Sequence, residues 1–152
     1  MLATQLACYG RCNMNDTRFK ALELHIPADT RYLSLVRRGV RSLAESVGFA
    51  REDVADVELA VSEAVTNSVE HGRSPGCDPG VVVRCRVCDD FLVVEIEDES
   101  HADTIPNRPD PPHTDERGRG VLMMRALMDE CEDSRTDHGI MVRMTKQKAG
   151  AA

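Results

Sequence analysis

The sequence has no long apolar run and no excess of positive charge. None of its hydrophobic stretches approaches the ~20 residues that a membrane-spanning helix needs, and the polar N-terminus MLATQLACYGRC lacks the apolar core of a secretory signal. With 19 basic against 26 acidic residues, the net charge of -7 would repel a nucleic-acid backbone. We therefore expect a cytoplasmic protein that binds neither a membrane nor nucleic acid directly.

The length of the chain leaves no room for a second full domain. At 152 residues, with 41% hydrophobic and 30% charged residues and no internal repeat, it has the size and composition of one soluble globular domain. Residues 1–18 lack hydrophobic periodicity and are expected to form a loose arm. The domain itself is expected at 19–147, followed by a disordered tail at 148–152.

Six cysteines raise the question of a metal site. Cys8 and Cys12, together with Cys85 and Cys88, could supply four thiolates to zinc. However, the alternation in VVVRCRVC places Cys85 on the apolar face of a strand, which favours a buried structural thiol. Zinc remains the weaker interpretation.

Hydrophobic periodicity and turn residues predict the element order β-α-α-β-β-loop-α-β-β. A first helix follows the capping residues 28–30, contains Tyr32 in its apolar stripe and ends at Gly48. This order predicts an α+β fold, a two-layer α/β sandwich whose mixed, mostly antiparallel sheet carries the helices on one face. The remaining elements are predicted as strands at 22–26, 80–88, 91–98, 131–136 and 139–145, helices at 52–72 and 121–130, and a Pro-rich loop at 99–117.

The helix at 52–72 carries a polar stripe opposite its apolar one. Glu63, Asn67 and Glu70 fall on the face away from the valine-rich stripe. A solvated surface is the ordinary interpretation. Asn67 argues against it, because Asn is a mediocre helix-interior residue, and Glu63 one turn earlier would place a carboxylate beside an amide oxygen, as metal ligands or a base.

Two further positions have the chemistry of a ligand site. The glycines of Gly118-Arg119-Gly120 precede a helix, where bare backbone N–H groups receive phosphate, although a turn that needs permissive backbone angles explains them too. Asp98 ends a strand and could accept a hydrogen bond from a ligand amine. It could equally be a turn former.

The order of these features resembles that of the Bergerat-fold ATPases, the superfamily of histidine kinases, gyrase, Hsp90 and MutL. SEAVTNSVEHG at 62–72 is similar, almost residue for residue, to the N-box of the RsbW-type anti-sigma-factor serine kinases, and ERGRG at 116–120 resembles their second glycine box. The likeness extends over about residues 20–147. It implies an ATP- and Mg²⁺-dependent kinase that sequesters a sigma factor and phosphorylates a serine on a STAS-type antagonist.

The resemblance also implies roles for individual residues. Glu63 would be the general base for the substrate serine, and Asn67 would coordinate the Mg²⁺ that bridges the ATP phosphates. Asp98 would bind the adenine amine. The other residues that it places at the nucleotide are His71 of the N-box, Gly118 and Gly120 of the lid, and Arg117 and Arg119 as charge partners of the phosphates.

Partner binding is implied by the same resemblance. The first helix, with Arg31, Arg37 and Arg38, resembles the partner-binding surface of these kinases, although an ordinary solvated basic face is an equal interpretation. A homodimer is expected on the same ground. A phosphorelay histidine kinase is disfavoured, because the chain has no room for dimerisation helices and a phosphoacceptor domain.

Two positions depart from the family pattern. Glu99-Ser100-His101-Ala102 stands where the first glycine box has two glycines, and the last strand begins Gly139-Ile140-Met141 instead of Gly-Thr-Thr. A side chain in place of glycine obstructs close approach to a ligand, and the lost threonine removes a polar partner. The alternative hypothesis is therefore a partner-switching module that binds sigma factor or antagonist without turning over ATP.

Overall fold

A computed structural model describes residues 20–71, 80–99, 116–137 and 139–150 of the chain. The element order is the predicted one, and the bounds are β1 Lys20–Pro27, a 3₁₀ turn Thr30–Tyr32, α1 Leu33–Ser46, α2 Arg51–His71, β2 Gly80–Cys88, β3 Phe91–Asp98, α3 Glu116–Leu127, β4 Glu130–Arg135 and β5 Ile140–Gln147. The expected arm at 1–18 lies outside the described residues.

The described strands form one sheet in the order β1-β2-β3-β5-β4. Each pairing between them is antiparallel, so the expected mixture of parallel and antiparallel pairs is wrong for this part of the chain. The predicted hairpin between β2 and β3 is confirmed. Its turn is Asp89-Asp90, and Asp89 adopts a positive φ of 52° that the right-handed strand twist favours in such short turns.

The helices cover one face of the sheet, as predicted. Alternating residues of β2 and β3 point to that face, so that Val83, Cys85, Val94 and Ile96 have no solvent exposure. Valines dominate the core because β-branched side chains suit the pleated surface. The α2 residues that meet them are also buried, namely Val54, Val57, Ala60, Val61, Ala64, Val65 and Val69.

Helices α1 and α2 form an antiparallel hairpin. Asp29 caps the entry by accepting the N–H of Arg31 at 2.9 Å, and Gly48 ends α1 with a φ of +83°, as the sequence predicted. A two-point pair of Arg41 with the buried Glu58, at 3.0 and 2.9 Å, joins the helices. Tyr32 was wrongly assigned to the apolar stripe, because it lies in the 3₁₀ turn and is 38% exposed.

Helix α3 begins five residues earlier than predicted, at Glu116 instead of residue 121. The sequence Gly118-Arg119-Gly120 is therefore inside the helix and does not precede it. Gly120 is buried against α2, where an added Cβ would meet the carboxylate end of Glu63. The helix also ends earlier, and Met128 follows it while its N–H donates to the carbonyl of Met124 at 3.0 Å.

The other face of the sheet is a lattice of ion pairs. Glu95, only 4% exposed, accepts Arg86 at 2.7 Å and Arg143 at 2.9 Å, and Glu97 accepts Arg84 at 2.9 Å. These carboxylates are stabilised although they are buried, since each one meets a guanidinium. Within the described residues, no helix has the length and apolarity to cross a membrane.

Candidate functional site

Helix α2 positions the first two predicted site residues. Its core stripe is fully packed, with Val57, Val61 and Ala64 at 0% exposure. Glu63 and Asn67 lie off this stripe and are partly exposed, one turn apart. The carboxylate and the amide therefore lie one turn apart on the same side of α2.

Helix α3 brings the glycine box to the same place. A Cβ atom added to Gly120 would lie 2.9 Å from Oε2 of Glu63 and 3.7 Å from Nδ2 of Asn67. The α3 backbone thus approaches both polar side chains closely, and a Cβ at position 120 would require the Glu63 carboxylate to move. Glu63, Asn67 and Gly120 come from segments more than fifty residues apart in sequence, and the fold assembles them into one cluster.

Asp98 lies at the end of β3, as predicted, with 4% exposure. Its Oδ1 accepts the backbone N–H of Ile140 at 3.0 Å. A Cβ atom on Gly139 would overlap both the carbonyl oxygen and Oδ1 of Asp98, so this position requires glycine. The turn before β5 is held by Thr136, whose hydroxyl accepts the N–H of Gly139 at 3.1 Å.

Gly139 and Thr136 were not among the predicted site residues. Gly139 was noted only for the residues that follow it. The signal that could have found it is a glycine at the start of a strand, which marks a close backbone approach. The structure shows that this approach is to Asp98, the residue expected at the adenine.

A buried lysine is the second feature that the sequence did not reveal. Nζ of Lys146 donates to the carbonyl of Leu127 at 2.7 Å and to Asp56 at 3.1 Å, and it lies 3.7 Å from Asp53. The ammonium therefore joins the last turn of α3, where the helix dipole favours a cation, to the acidic first turns of α2. In the sheet, Lys146 lies opposite Leu92 on the helix-covered face.

The arginines expected to contact a partner differ in their surroundings. Arg31 is exposed but already paired, because its guanidinium binds the Asp29 carboxylate at 2.7 and 2.9 Å, which raises the pKa of Arg31. Arg37 and Arg38 are exposed on α1. Arg119 is exposed on α3, near its start.

Some predicted residues lie outside the description. The side chains of His71 and Arg117 do, and so do residues 100–102 of the altered first glycine box. Gly118 is part of the first turn of α3. The structure therefore brings together Glu63, Asn67 and Gly120, and places Asp98 at the end of β3.

The burial of Cys85 bears on the choice between a zinc ligand and a structural thiol. Cys85 is fully buried in the core, as predicted, and burial raises the pKa of its thiol to about 12. The Cys85 sulfur has no solvent exposure, which fits a structural thiol packed in the core. Cys8 and Cys12 lie outside the described residues, and within the described ranges no three His, Cys, Asp or Glu side chains form a metal-binding group.

Comparison with known proteins identifies the class. The model of the histidine kinase-like ATPase domain family matches residues 26–146, which include α1, α2 and the whole candidate site. The chain belongs to this family. Its helix-covered antiparallel sheet, with a polar cluster between α2 and α3, is the structural form that the family takes here.

Within that class, the chain is similar to the serine-protein kinases RsbW. It is 32% identical over 139 residues to RsbW of Bacillus velezensis, covering 85% of this chain and 86% of that protein. Its identity to RsbW of Bacillus subtilis is 30% over 139 residues, with the same coverage.

A solved structure shares the fold. The crystal structure of the RsbU and RsbW domains of a Mycobacterium tuberculosis protein matches with a TM-score of 0.66 at 22% identity, covering 88% of this chain. The match spans 34% of that longer chain. At this identity the likeness bears on the fold alone.

Proposed function

We propose that the protein is an ATP-dependent serine-protein kinase that sequesters a sigma factor and phosphorylates a serine of a STAS-type antagonist. The observation that carries the proposal is the cluster of Glu63, Asn67 and the α3 backbone at Gly120. The relatives named serine-protein kinases support it, since they align with the segments that build this cluster. Regulation of a sigma factor also implies a cytoplasmic location.

The chemistry needs little beyond this cluster. Glu63 accepts the proton of the substrate serine hydroxyl as its oxygen attacks the γ-phosphorus of ATP, and ADP leaves with the bond electrons. The partial exposure of Glu63 leaves its carboxylate accessible to a protein substrate. Adjacent helix backbone and the positive N-terminal end of α3 stabilise the phosphate charge.

The residues present fit a magnesium ion bound together with nucleotide. Mg²⁺ prefers oxygen ligands and is usually held by one or two protein groups plus substrate phosphates. The Asn67 side-chain oxygen is the proposed protein ligand. When bound, Mg²⁺ neutralises the phosphate charge that develops during transfer.

Asp98 is the proposed adenine contact. The Ile140 N–H fixes the orientation of its carboxylate, which is held at the end of a central strand. A carboxylate selects an exocyclic amine, which adenine has at the position where guanine has a carbonyl. Gly139 supports this contact, because it lets the β4–β5 turn approach Asp98.

The sigma factor is proposed to bind the exposed face of α1, where Arg37 and Arg38 meet solvent. A basic helix face on a protein of net charge -7 favours a partner with acidic groups opposite it. A homodimer forms part of the proposal as well. Size-exclusion chromatography with light scattering measures it directly.

The first test is calorimetric titration with ATP and Mg²⁺, comparing the wild type with Asn67→Ala. Binding that is lost in the variant supports the nucleotide site. Transfer of labelled phosphate to a purified STAS antagonist from the same organism should then be abolished by Glu63→Gln, which keeps the shape of the side chain but removes its basicity. Equal transfer by both proteins would refute the role of Glu63.

A nucleotide-independent partner-switching module is the second candidate. Ser100 and Ala102 in place of glycines, and Ile140 in place of a threonine, are the observations that favour it. Wild-type protein that binds a sigma factor tightly but does not bind ATP would establish this alternative.

A further inference from the structure

Helices α2 and α3 expose three large apolar side chains. Leu59 is 44% exposed on α2, and Leu122 and Met123 are 51% and 37% exposed on α3. Single exposed hydrophobic residues are ordinary on a protein surface. Leu59 and Met123 differ from such scattered residues, because each lies one turn from the point where Glu63 meets Gly120. Leu122 follows Gly120 by two residues and therefore lies on the opposite face of α3, about 200° around the helix axis.

The order of residues along α2 places Glu63 between two different surroundings. Asn67 lies one turn after Glu63, and Leu59 lies one turn before it, on the same side of the helix. Along the axis of α2, the Glu63 carboxylate therefore has the Asn67 amide on one side and the exposed Leu59 side chain on the other.

Helix α3 carries an exposed apolar side chain, Met123, in a matching position. It runs antiparallel to α2, because Gly120 lies at Glu63 while the carbonyl of Leu127 is linked through Lys146 to Asp56, near the start of α2. Met123, one turn after Gly120, is therefore displaced from Glu63 in the same direction as Leu59. The apolar side chains flank the carboxylate on the side away from Asn67.

Phosphoryl transfer gives this asymmetry a meaning. The attacking and leaving oxygens stand roughly in line, on opposite sides of the transferred phosphorus. If the nucleotide phosphates lie at Asn67, the attacking serine approaches Glu63 from the side of Leu59 and Met123. A folded protein that brings its serine within hydrogen-bond reach of Glu63, about 3 Å, has to cover these neighbours.

We propose that Leu59 and Met123 form the docking patch for the phosphoacceptor protein. This inference rests on the proposed kinase function and adds where the acceptor binds. The occupant is a folded acceptor with apolar side chains beside its serine. Arg119, exposed one turn before Met123 on α3, favours an acidic group at the rim of the acceptor.

The test compares Leu59→Gln/Met123→Gln with a matched control, Leu122→Gln. Leu122 is equally apolar and 51% exposed, but it lies on the face of α3 opposite Gly120 and hence away from Glu63. Glutamine is a good helix former, and the replaced side chains are exposed, so all variants should fold. Circular dichroism melting checks this.

Two quantities are measured with the purified STAS antagonist of the same organism. The first is the steady-state rate of phosphate transfer from ATP as a function of antagonist concentration. The second is the equilibrium affinity for the antagonist in the presence of a non-hydrolysable ATP analogue. We expect the double variant to raise KM and Kd for the antagonist by about tenfold, as for loss of central apolar contacts, with ATP affinity unchanged within twofold and the control like wild type.

The outcomes separate the docking patch from the kinase function. Unchanged KM and Kd in a double variant that still transfers phosphate would overturn the patch and leave the kinase function standing. If the wild type transfers no phosphate, the kinase function fails, and the affinities alone then judge the patch. A wild type that neither transfers phosphate nor binds the antagonist overturns both.

Discussion

Replacing Gly120 with alanine should change stability and activity in opposite directions. Alanine is a better helix former than glycine by about 1 kcal/mol in a helix interior. The new Cβ, however, would lie 2.9 Å from Oε2 of Glu63. Because Glu63 is partly exposed, its flexible carboxylate end can move away at small cost, and the helix keeps most of the gain.

We therefore expect Gly120→Ala to raise the free energy of unfolding by up to about 1 kcal/mol, which is roughly 2–4 °C in Tm for a chain of this size. The effect on activity is opposite, because the same movement displaces the general base Glu63. A misplacement of about 1 Å in a catalytic group can cost roughly 100-fold in rate, so phosphate transfer should fall by at least tenfold. Urea denaturation and the transfer assay measure the two effects on the same samples.

A double-mutant cycle with Glu63→Ala isolates the contact. If Gly120 meets Glu63 as described, truncating Glu63 removes the collision, and Gly120→Ala should stabilise the Glu63→Ala protein more than it stabilises the wild type. Wild-type rates of transfer in Gly120→Ala, or equal stabilisation in both backgrounds, would refute the proposed closeness of α3 and α2.

Three further outcomes are expected. Lys146→Met should lower the free energy of unfolding, measured by urea denaturation, by about 2–3 kcal/mol, which is less than the loss of a fully buried ion pair because Asp56 is 37% exposed. Lys148→Met is the comparison: it loses one hydrogen bond to a backbone carbonyl and should lower the free energy of unfolding by under about 1 kcal/mol. Gly139→Ala should weaken ATP binding at least about tenfold by calorimetry, since the Asp98 carboxylate is displaced. Burial raises the pKa of Cys85 from 9.0 to about 12, so above pH 9 the folded chain keeps a thiol proton that the unfolded chain loses. The free energy of unfolding should therefore fall by an extra ~1.4 kcal/mol per pH unit above pH 9. This extra fall should be absent in Cys85→Ala.

The sequence predicted those strands and helices whose hydrophobic periodicity matches the burial of their side chains. The bounds of β2 and β3 were predicted without error, because alternating valines bounded by Gly80 and Asp89 leave no other register. The polar stripe of α2 could also be predicted from the spacing of its residues. Its meaning came from the resemblance, since a single helix does not show that Gly120 faces Glu63.

Other features needed the tertiary structure. The start of α3 was predicted too late, because isolated glycines normally mark a helix boundary and only the packing against α2 explains Gly120 inside a helix. Lys146 was missed for a similar reason. A charged residue in a strand is normally assigned to the solvent, and its three acceptors come from segments remote in sequence.

The two ends of α3 are held differently, so a small rotation of the helix moves one end more than the other. One end is fixed by the Lys146 ammonium at Leu127, whereas Gly120 meets α2 through bare backbone. From Leu127 to Gly120 the arm is roughly 10 Å, at about 1.5 Å per residue. A tilt of about 6° around the ammonium therefore moves the glycine end by about 1 Å, a distance that can change a transfer rate by orders of magnitude.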